Sequence, residues 1–208
     1  MPLFRQYEIG SAVVSVWKVT ETLDELMALV PAECAKECME EFSSQKRRSE
    51  WLAVRAMIAQ LFGSDVRVAY DDAGKPSLRG ADVSISISHT DGYVAVACSR
   101  DSEIGLDIEL LSRNVLAVAG RFMYRGALEG MLPDEANRLA LCHWCAKEAL
   151  FKITGDLGGN FKDNIAVGCS CVGGSGSFPV EVVGLEYEGS FVADYRLDAG
   201  LLLVLCHK

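Results

Sequence analysis

Residues 133–155, PDEANRLALCHWCAKEALFKITG, carry the clearest helical pattern of the sequence. Apolar residues recur there at helical spacing over residues 134–153, and Pro133 suits the first turn of a helix. Gly155 suits the position just past the helix end. Residues 104–110, IGLDIEL, predict a strand before this helix, and four further strands are predicted at residues 165–171, 180–187, 191–197 and 201–206.

The amino-terminal half repeats this combination of helix and strands. Strands are predicted at residues 12–19, 66–70, 83–88 and 93–99, and helices at residues 23–30, with Thr22 as N-cap, and 32–62. In the second half, residues 112–131 also predict a helix, interrupted by glycines. The sequence therefore predicts an α+β protein of two similar subdomains, residues 1–103 and 104–208.

Composition and charge exclude several classes of protein. Of the 208 residues, 50% are hydrophobic and 24% are charged, which is typical of a globular protein and not of a disordered or collagen-like chain. The net charge of -9 disfavours nonspecific binding to nucleic acid or to an anionic membrane. A polyanionic ligand would need a local cluster of cations. We expect a cytoplasmic protein, because no apolar run has the length of a membrane span and the first residues do not resemble a secretory signal.

The eight cysteines predict free, buried thiols rather than disulfides. Cys142 and Cys145, with His143 between them, have a spacing that could suggest zinc. They lie in a helical pattern, however, and Cys169-x-Cys171 is typical of a strand. The sequence therefore predicts no structural zinc.

Two segments of the second half carry candidate catalytic groups. Asp107 and Glu109 lie two apart on the predicted strand, so they share a face, and a hard cation such as magnesium would relieve their repulsion. A solvated strand face is the commoner meaning of that pattern. On the helix, Trp144, Glu148 and Lys152 form one stripe. The alternative for the stripe is an exposed Glu148–Lys152 pair, which the bulky tryptophan argues against.

The first half supplies groups that could bind phosphate. Ser88, His89 and Thr90 lie where a strand enters a turn, with hydroxyl, imidazole and amide groups available, although a lone histidine is more often structural. Cations are concentrated in the preceding helix and in the turn after residue 70, at Lys46, Arg47, Arg48, Arg55 and Lys75.

Four motifs together are more specific than any one of them. They are Gly74-Lys75-Pro76, Ser88-His89-Thr90, Gly105-x-Asp107-x-Glu109 and Trp144-x-x-Lys147-Glu148-x-x-x-Lys152. In this order and spacing they resemble the 4′-phosphopantetheinyl transferase superfamily, in particular its larger, surfactin-synthetase-activating branch. The helix over residues 46–55 is similar to that of siderophore-associated members. The resemblance implies two α+β subdomains related by pseudo-twofold symmetry, with coenzyme A lying between them.

The implied activity is transfer of the phosphopantetheine arm of coenzyme A to a serine of an acyl or peptidyl carrier protein, with release of adenosine 3′,5′-bisphosphate. The resemblance assigns magnesium, with manganese as the alternative, to Asp107, Glu109 and Glu148. It assigns the serine proton to Glu148 or to a metal-bound water next to it, and it assigns to Lys152 the neutralisation of the charge that builds on the leaving bisphosphate. The groups that it assigns to coenzyme A are Lys152, His89, Ser88, Lys75, Arg47 and Arg55, and it counts His89 among the catalytic residues. It implies a monomer.

Two alternative functions remain open, and the chain departs from the family's sequence pattern at one place. A metal-dependent phosphohydrolase needs similar groups but no carrier, and a noncatalytic coenzyme A-binding protein needs no intact acids. After Arg121-Phe122 the chain departs from the family pattern, because no acid follows until Glu129. Since carrier proteins are usually acidic, as this chain is, we expect docking to rely on apolar contacts, from Phe122, Met123, Tyr124 and Leu128.

Overall fold

The computed structural model describes residues 3–10, 12–156, 158–170, 173–186 and 188–208. The chain divides into two compact units, Met1–Asp101 and Ser102–Lys208. Each unit packs helix against antiparallel sheet, so the predicted α+β class is confirmed. In the described part of the chain, no helix has both the length and the apolar character needed to cross a membrane.

The first unit is built on a four-stranded antiparallel sheet. Its strands are β1 (Leu3–Ile9), β2 (Ala12–Lys18), β5 (Ser84–Thr90) and β6 (Tyr93–Ser99), in the order β1-β2-β6-β5. A separate hairpin joins β3 (Arg67–Tyr70) to β4 (Pro76–Arg79). The sequence predictions missed β1 and β4. The predicted tight turn is confirmed, because β5 and β6 are joined by Asp91 and Gly92 alone.

Three helices pack with this sheet, one more than predicted. Helix α1 (Leu23–Met27) begins at a capping box, in which the Thr22 hydroxyl accepts from the Glu25 amide and the Glu25 carboxylate accepts from the Thr22 amide. The predicted helix over residues 32–62 is wrong as a single element. It is divided into α2 (Ala32–Glu41) and α3 (Gln45–Phe62), because Phe42 is extended and Ser44 caps a new helix through the Arg47 amide.

Helix α3 lies on β6 and closes the core of the first unit. Its buried face meets side chains of the sheet and of α1, which exclude water from the space between them. The fully buried members include Trp17, Leu26, Leu52, Met57, Val94 and Val96.

The second unit has a five-stranded antiparallel sheet and one long helix. The strands are β7 (Ile104–Leu110), β8 (Ile165–Val167), β9 (Ser175–Val182), β10 (Gly189–Asp198) and β11 (Leu201–His207), in the order β7-β11-β10-β9-β8. Helix α4 (Pro133–Thr154) lies across β7 and β11. The predicted strands and this helix are confirmed, with shifted ends. The predicted ends at Cys171 and Tyr187 lie outside the described residues.

The predicted helix over residues 112–131 is wrong. That segment contains two short 3-10 turns, Ala119–Arg121 and Arg125–Leu128, within otherwise irregular backbone. Gly120, Gly126 and Gly130 explain the difference, because each glycine costs a helix about 1 kcal/mol relative to alanine.

Candidate active site

A close approach of backbone to backbone brings together the two motifs that carry the candidate catalytic groups. A Cβ atom added at Gly105, on β7, would lie 1.8 Å from the carbonyl oxygen of Ala149, on α4. Only glycine allows α4 to lie this close to the strand. Because residues two apart on a strand share a face, Asp107 and Glu109 face α4 as Gly105 does. Their neighbours Leu106 and Ile108 project from the opposite face and are also buried.

We expect Gly105→Ala to lower the free energy of unfolding by about 3 kcal/mol, because the added methyl group displaces α4. Gly126→Ala is the matched control, since nothing lies within 4 Å of a Cβ at that position. Denaturant unfolding of the two variants checks the prediction. Equal stability of the two variants would contradict it.

Lys152 connects the helix to the strand. Its ammonium Nζ donates to the Asp107 carboxylate Oδ1 at 3.0 Å and to the Leu106 carbonyl at 2.6 Å. The Lys152 side chain is 27% exposed and that of Asp107 is 11% exposed. The alternative of an exposed Glu148–Lys152 pair on the helix is therefore not supported, because Lys152 is largely buried and is directed to Asp107. The Cys145 thiol is buried beside Asp107, and burial together with that negative charge raises the pKa of the thiol.

The other two acidic residues lie in the same region. Glu109 is buried and forms an ion pair with Arg113, one of the residues that follow β7. Glu148 is half-buried on α4. Burial, and then the negative charge of Asp107, raise the pKa of the Glu148 carboxyl, while the cations Lys152 and Arg113 act in the opposite direction. Glu148 and Asp107 are therefore coupled electrostatically.

The arrangement of these acids bears directly on the predicted metal. Among the residues that the structure describes, no group of three or more His, Cys, Asp or Glu side chains is arranged to hold a metal ion. Instead Lys152 and Arg113 lie against Asp107 and Glu109. The donor set itself fits a hard divalent cation, because carboxylate oxygens are the ligands that magnesium prefers and the coupled acids would gain from added positive charge.

Lys147, the neighbour of Glu148 in the helical motif, is a structural cation. It is only 2% exposed, and its ammonium donates to the carbonyls of Phe122, at 2.7 Å, and Phe161. The Trp144 ring packs edge-on against the Phe122 ring, with the ring centroids 5.3 Å apart. The centroids of the Trp144 and Phe161 rings are 6.3 Å apart. The motif residues Trp144 and Lys147 therefore fasten the segments before and after α4 to the helix.

We expect Lys147→Met to lower the free energy of unfolding by about 1–3 kcal/mol near neutral pH, because two carbonyls lose their donor. Burial lowers the pKa of Lys147 to about 8 from its ordinary 10.5. The unfolded chain then binds more protons between these values, so wild-type stability should rise relative to Lys147→Met from pH 8 towards 10. Denaturant unfolding at several pH values measures this difference, and a constant difference would contradict it.

The structure places the predicted phosphate-binding residues of the first unit where β5 ends beside α3. Ser88 is buried in β5, and the His89 side chain is 45% exposed. The His89 ring nitrogen Nδ1 lies 3.7 Å from the Glu50 carboxylate of α3. One turn earlier on that helix, Lys46 pairs with Asp91 of the β5–β6 turn at 2.9 Å. These contacts hold the first half of α3 against the turn.

The remaining cations of the first unit have different surroundings. The Arg55 guanidinium lies 3.6 Å from the centre of the Trp51 ring, and its Nη1 donates to the Tyr70 hydroxyl at 3.4 Å. Tyr70 ends β3 and pairs with Pro76, the residue after Lys75. Arg47 is exposed and lies over the Phe42 ring.

Arg48 differs from the neighbouring cations because its guanidinium donates to backbone carbonyl groups. It donates to the carbonyls of Phe42 and Met39. These bonds join the end of α2 to the start of α3, so Arg48 stabilises the connection between the two helices.

The structure does not support all four residues that we expected to form an apolar docking surface, because two of them are buried. Phe122 is 2% exposed and Met123 is 3% exposed, and both belong to the core of the second unit. Leu128 is partly buried against that core. Tyr124 is 61% exposed, but its hydroxyl donates to Asp163 at 2.8 Å. Phe122 and Met123 therefore fill the core and cannot form a docking surface, whereas Tyr124 is exposed.

The cysteines of the described chain are free thiols. Five of them are buried, namely Cys34, Cys38, Cys142, Cys145 and Cys206. Cys98 is partly buried, and the loss of water around its thiol raises the pKa of that thiol to about 12. Cys171 lies outside the described residues.

Sequence reasoning missed Arg113, Cys145 and Glu50 as neighbours of the predicted groups. Arg113 follows Glu109 by four residues, but this spacing has meaning only for a helix, and β7 ends between them. Cys145 is three residues before Glu148 and was predicted only as a free, buried thiol, which gives no reason to place it beside Asp107. No sequence pattern indicated a role for Glu50, because its neighbour His89 is distant in sequence.

The chain is similar to several proteins named 4′-phosphopantetheinyl transferase. It is 27% identical to the Bacillus subtilis protein ffp over 196 residues, which cover 89% of this chain and 85% of ffp. It is 26% identical to AcpT of Salmonella typhimurium over 115 residues, which cover 52% of this chain and 60% of AcpT. AcpT of Escherichia coli K12 is 27% identical over 115 residues, or 59% of its own length. No protein-family model matches the chain.

These similarities confirm the resemblance predicted from the four motifs. The chain is therefore similar to members of the 4′-phosphopantetheinyl transferase superfamily, at 26–27% identity. The match to ffp includes residues of both units, because neither unit alone accounts for 89% of the chain.

Proposed function

We propose that this protein transfers the 4′-phosphopantetheine group of coenzyme A to the hydroxyl of a serine in an acyl or peptidyl carrier protein. The observation that carries the proposal is the contact between its two catalytic motifs, with the Lys152 ammonium 3.0 Å from the Asp107 carboxylate. The names of the relatives support the same activity. The other product would be adenosine 3′,5′-bisphosphate.

The reaction determines what the residues must do. The serine oxygen forms a bond to the phosphorus that carries the pantetheine arm, and the pyrophosphate P–O bond to the adenosine bisphosphate breaks. Negative charge then accumulates on the leaving phosphate, and the serine proton must be accepted. We assign the proton to the Glu148 carboxylate, whose partial burial makes it more basic than an exposed glutamate. We assign the leaving-group charge to the Lys152 ammonium.

Magnesium, with manganese as the alternative, would be held by Asp107, Glu109 and Glu148. When bound, a divalent ion supplies charge neutralisation to the pyrophosphate oxygens. The proposal is supported by the oxygen chemistry of the three acids and by the effect of the Asp107 charge on the pKa of Glu148. For this chain it requires that Lys152 and Arg113 share their carboxylates with the ion.

Coenzyme A would be bound with the help of the first unit. We assign its phosphates and nucleotide to the residues that the resemblance selects, which are Ser88, His89, Lys75, Arg47 and Arg55. The support for Lys75, Arg47 and Arg55 is their charge, since the chain has 20 Lys and Arg against 29 Asp and Glu, and a polyanion requires cations gathered locally. Ser88 and His89 offer a hydroxyl and an imidazole as hydrogen-bonding groups. Action in the cytoplasm, and as a monomer, stays a prediction from the sequence.

Mass spectrometry of purified apo carrier proteins, incubated with coenzyme A and magnesium, tests the proposal. We expect one carrier to gain the mass of one phosphopantetheine group. The same incubation without carrier tests the first alternative, because rapid release of adenosine bisphosphate indicates a phosphohydrolase. Binding of coenzyme A with no reaction on any carrier indicates a noncatalytic binding protein.

A further inference from the structure

Glu50, on α3, is a buried acid that the proposed chemistry does not use. The residue is 9% exposed, and its carboxylate oxygen Oε1 is buried with no hydrogen-bond partner. Burying a carboxylate costs free energy unless hydrogen bonds and opposite charge compensate for it. A buried acid with such incomplete compensation is therefore poorly explained by a contribution to stability alone.

The second carboxylate oxygen of Glu50 faces a predicted ligand-binding residue. Oε2 lies 3.7 Å from Nδ1 of His89, whose side chain is 45% exposed. The cation one turn earlier on α3, Lys46, is directed to Asp91, with a distance of 2.9 Å between the charged atoms. The carboxylate therefore has the His89 imidazole as a close neighbour at the end of β5, and it also interacts electrostatically with Lys46.

Direct contact of Glu50 with coenzyme A is excluded by charge. The phosphates of coenzyme A are anionic, and a buried carboxylate beside them would repel them. The same carboxylate can help through an imidazole that lies between it and the ligand. The 3.7 Å between Nδ1 and Oε2 is longer than a hydrogen bond, so the two groups are near neighbours and a small shift of the ring would be needed to join them. Once within hydrogen-bond distance, an acceptor at Nδ1 would select the ring form with a proton on that nitrogen and fix the ring orientation, which leaves Nε2 to face a ligand.

We propose that Glu50 is a positioning residue, which orients the imidazole of His89 towards a phosphate group of coenzyme A. The assignment rests on the proposed function, because it takes coenzyme A as the ligand of His89. It implies that Glu50 is retained for binding at some cost to stability.

The assignment predicts opposite changes in stability and affinity. Glu50→Gln keeps the shape of the side chain and removes a poorly compensated buried charge, so the melting temperature should stay unchanged or rise by about 1–4 °C. The affinity for coenzyme A should fall by about 5- to 20-fold, as for loss of one charge-assisted contact. A residue that only stabilises the fold would lower the melting temperature and leave the affinity unchanged.

A double-mutant cycle with His89 tests whether the two residues act together. We would measure binding of coenzyme A to the full chain by calorimetry for wild type, Glu50→Gln, His89→Ala and the double variant. Once His89 is absent, Glu50→Gln should weaken binding less than twofold. Glu50→Asp, which keeps the charge with a shorter reach, should give an intermediate affinity and provides a second test if Glu50→Gln folds poorly. Glu40→Gln is the matched control, because it removes an exposed carboxylate on α2 that pairs only loosely with Lys36, and it should leave the affinity for coenzyme A unchanged.

The outcomes separate this assignment from the proposed function. If wild type binds coenzyme A and Glu50→Gln binds it equally well, the positioning role is wrong and the proposed function stands. Equal losses from Glu50→Gln with and without His89 would also overturn the role, because Glu50 would then act independently. If wild type does not bind coenzyme A, the proposed function fails and this assignment fails with it.

Discussion

Asp107→Ala is expected to lower kcat/KM for carrier modification by about 100-fold or more, which is the size of effect typical for a group that stabilises transferring phosphoryl charge. The variant loses an oxygen ligand proposed for magnesium, and it also loses the carboxylate that receives the Lys152 ammonium at 3.0 Å. Steady-state kinetics with saturating magnesium measure the effect. A rate near that of wild type would show that β7 does not carry the metal site.

Two further variants separate chemistry from packing at Asp107. Asp107→Asn keeps the volume of this buried side chain, and we expect it to be nearly as inactive as Asp107→Ala. Asp194→Asn removes a carboxylate of similar burial on β10, where it pairs with His207 at 2.8 Å. That variant should lose stability and keep its activity. A chelator should abolish the activity of the wild type, and added magnesium should restore it.

The elements that could be predicted from the sequence are those with complete local signals. Helix α4 has proline at its start, glycine at its end and apolar residues at helical spacing between them. The division between α2 and α3 was missed because Ser44 is a cap within an otherwise helical pattern. Residues 112–131 gave the opposite error, since apolar spacing suggested a helix that the three glycines do not allow.

In the candidate site, the residues could be predicted from local sequence patterns, but the contacts between them could not. Shared faces on a strand and on a helix selected Asp107, Glu109, Glu148 and Lys152 from the sequence. The contact between Lys152 and Asp107 depends on how closely α4 approaches β7, and the sequence records this only as the glycine at position 105. The pairing of Glu50 with His89 depends on the packing of α3 beside β5, which no local pattern encodes.

Lys152→Ala and Glu148→Gln should fail in different ways, although the two residues lie one turn apart on α4. Lys152 is no metal ligand in the proposed function, so Lys152→Ala should bind magnesium almost as wild type does. Its kcat should fall by about 100-fold or more, because the ammonium charge is most useful when the leaving phosphate gains negative charge. Glu148→Gln should lose both magnesium affinity and rate. Its pH–rate profile should also lose the acidic limb, because glutamine takes up no proton.

The matched control for this pair of variants is the exposed helix pair Lys36–Glu40, in which the charged atoms are 3.8 Å apart and both side chains are largely exposed. Lys36→Ala should change stability by well under about 1 kcal/mol and leave the rate unchanged. Lys152→Ala should differ from it in both respects, since the lysine is largely buried against the Leu106 carbonyl and Asp107. Measurements of kcat, magnesium affinity and melting temperature on the three variants are decisive. Full activity in Lys152→Ala would show that its contact with Asp107 stabilises the fold without serving the transfer of phosphopantetheine.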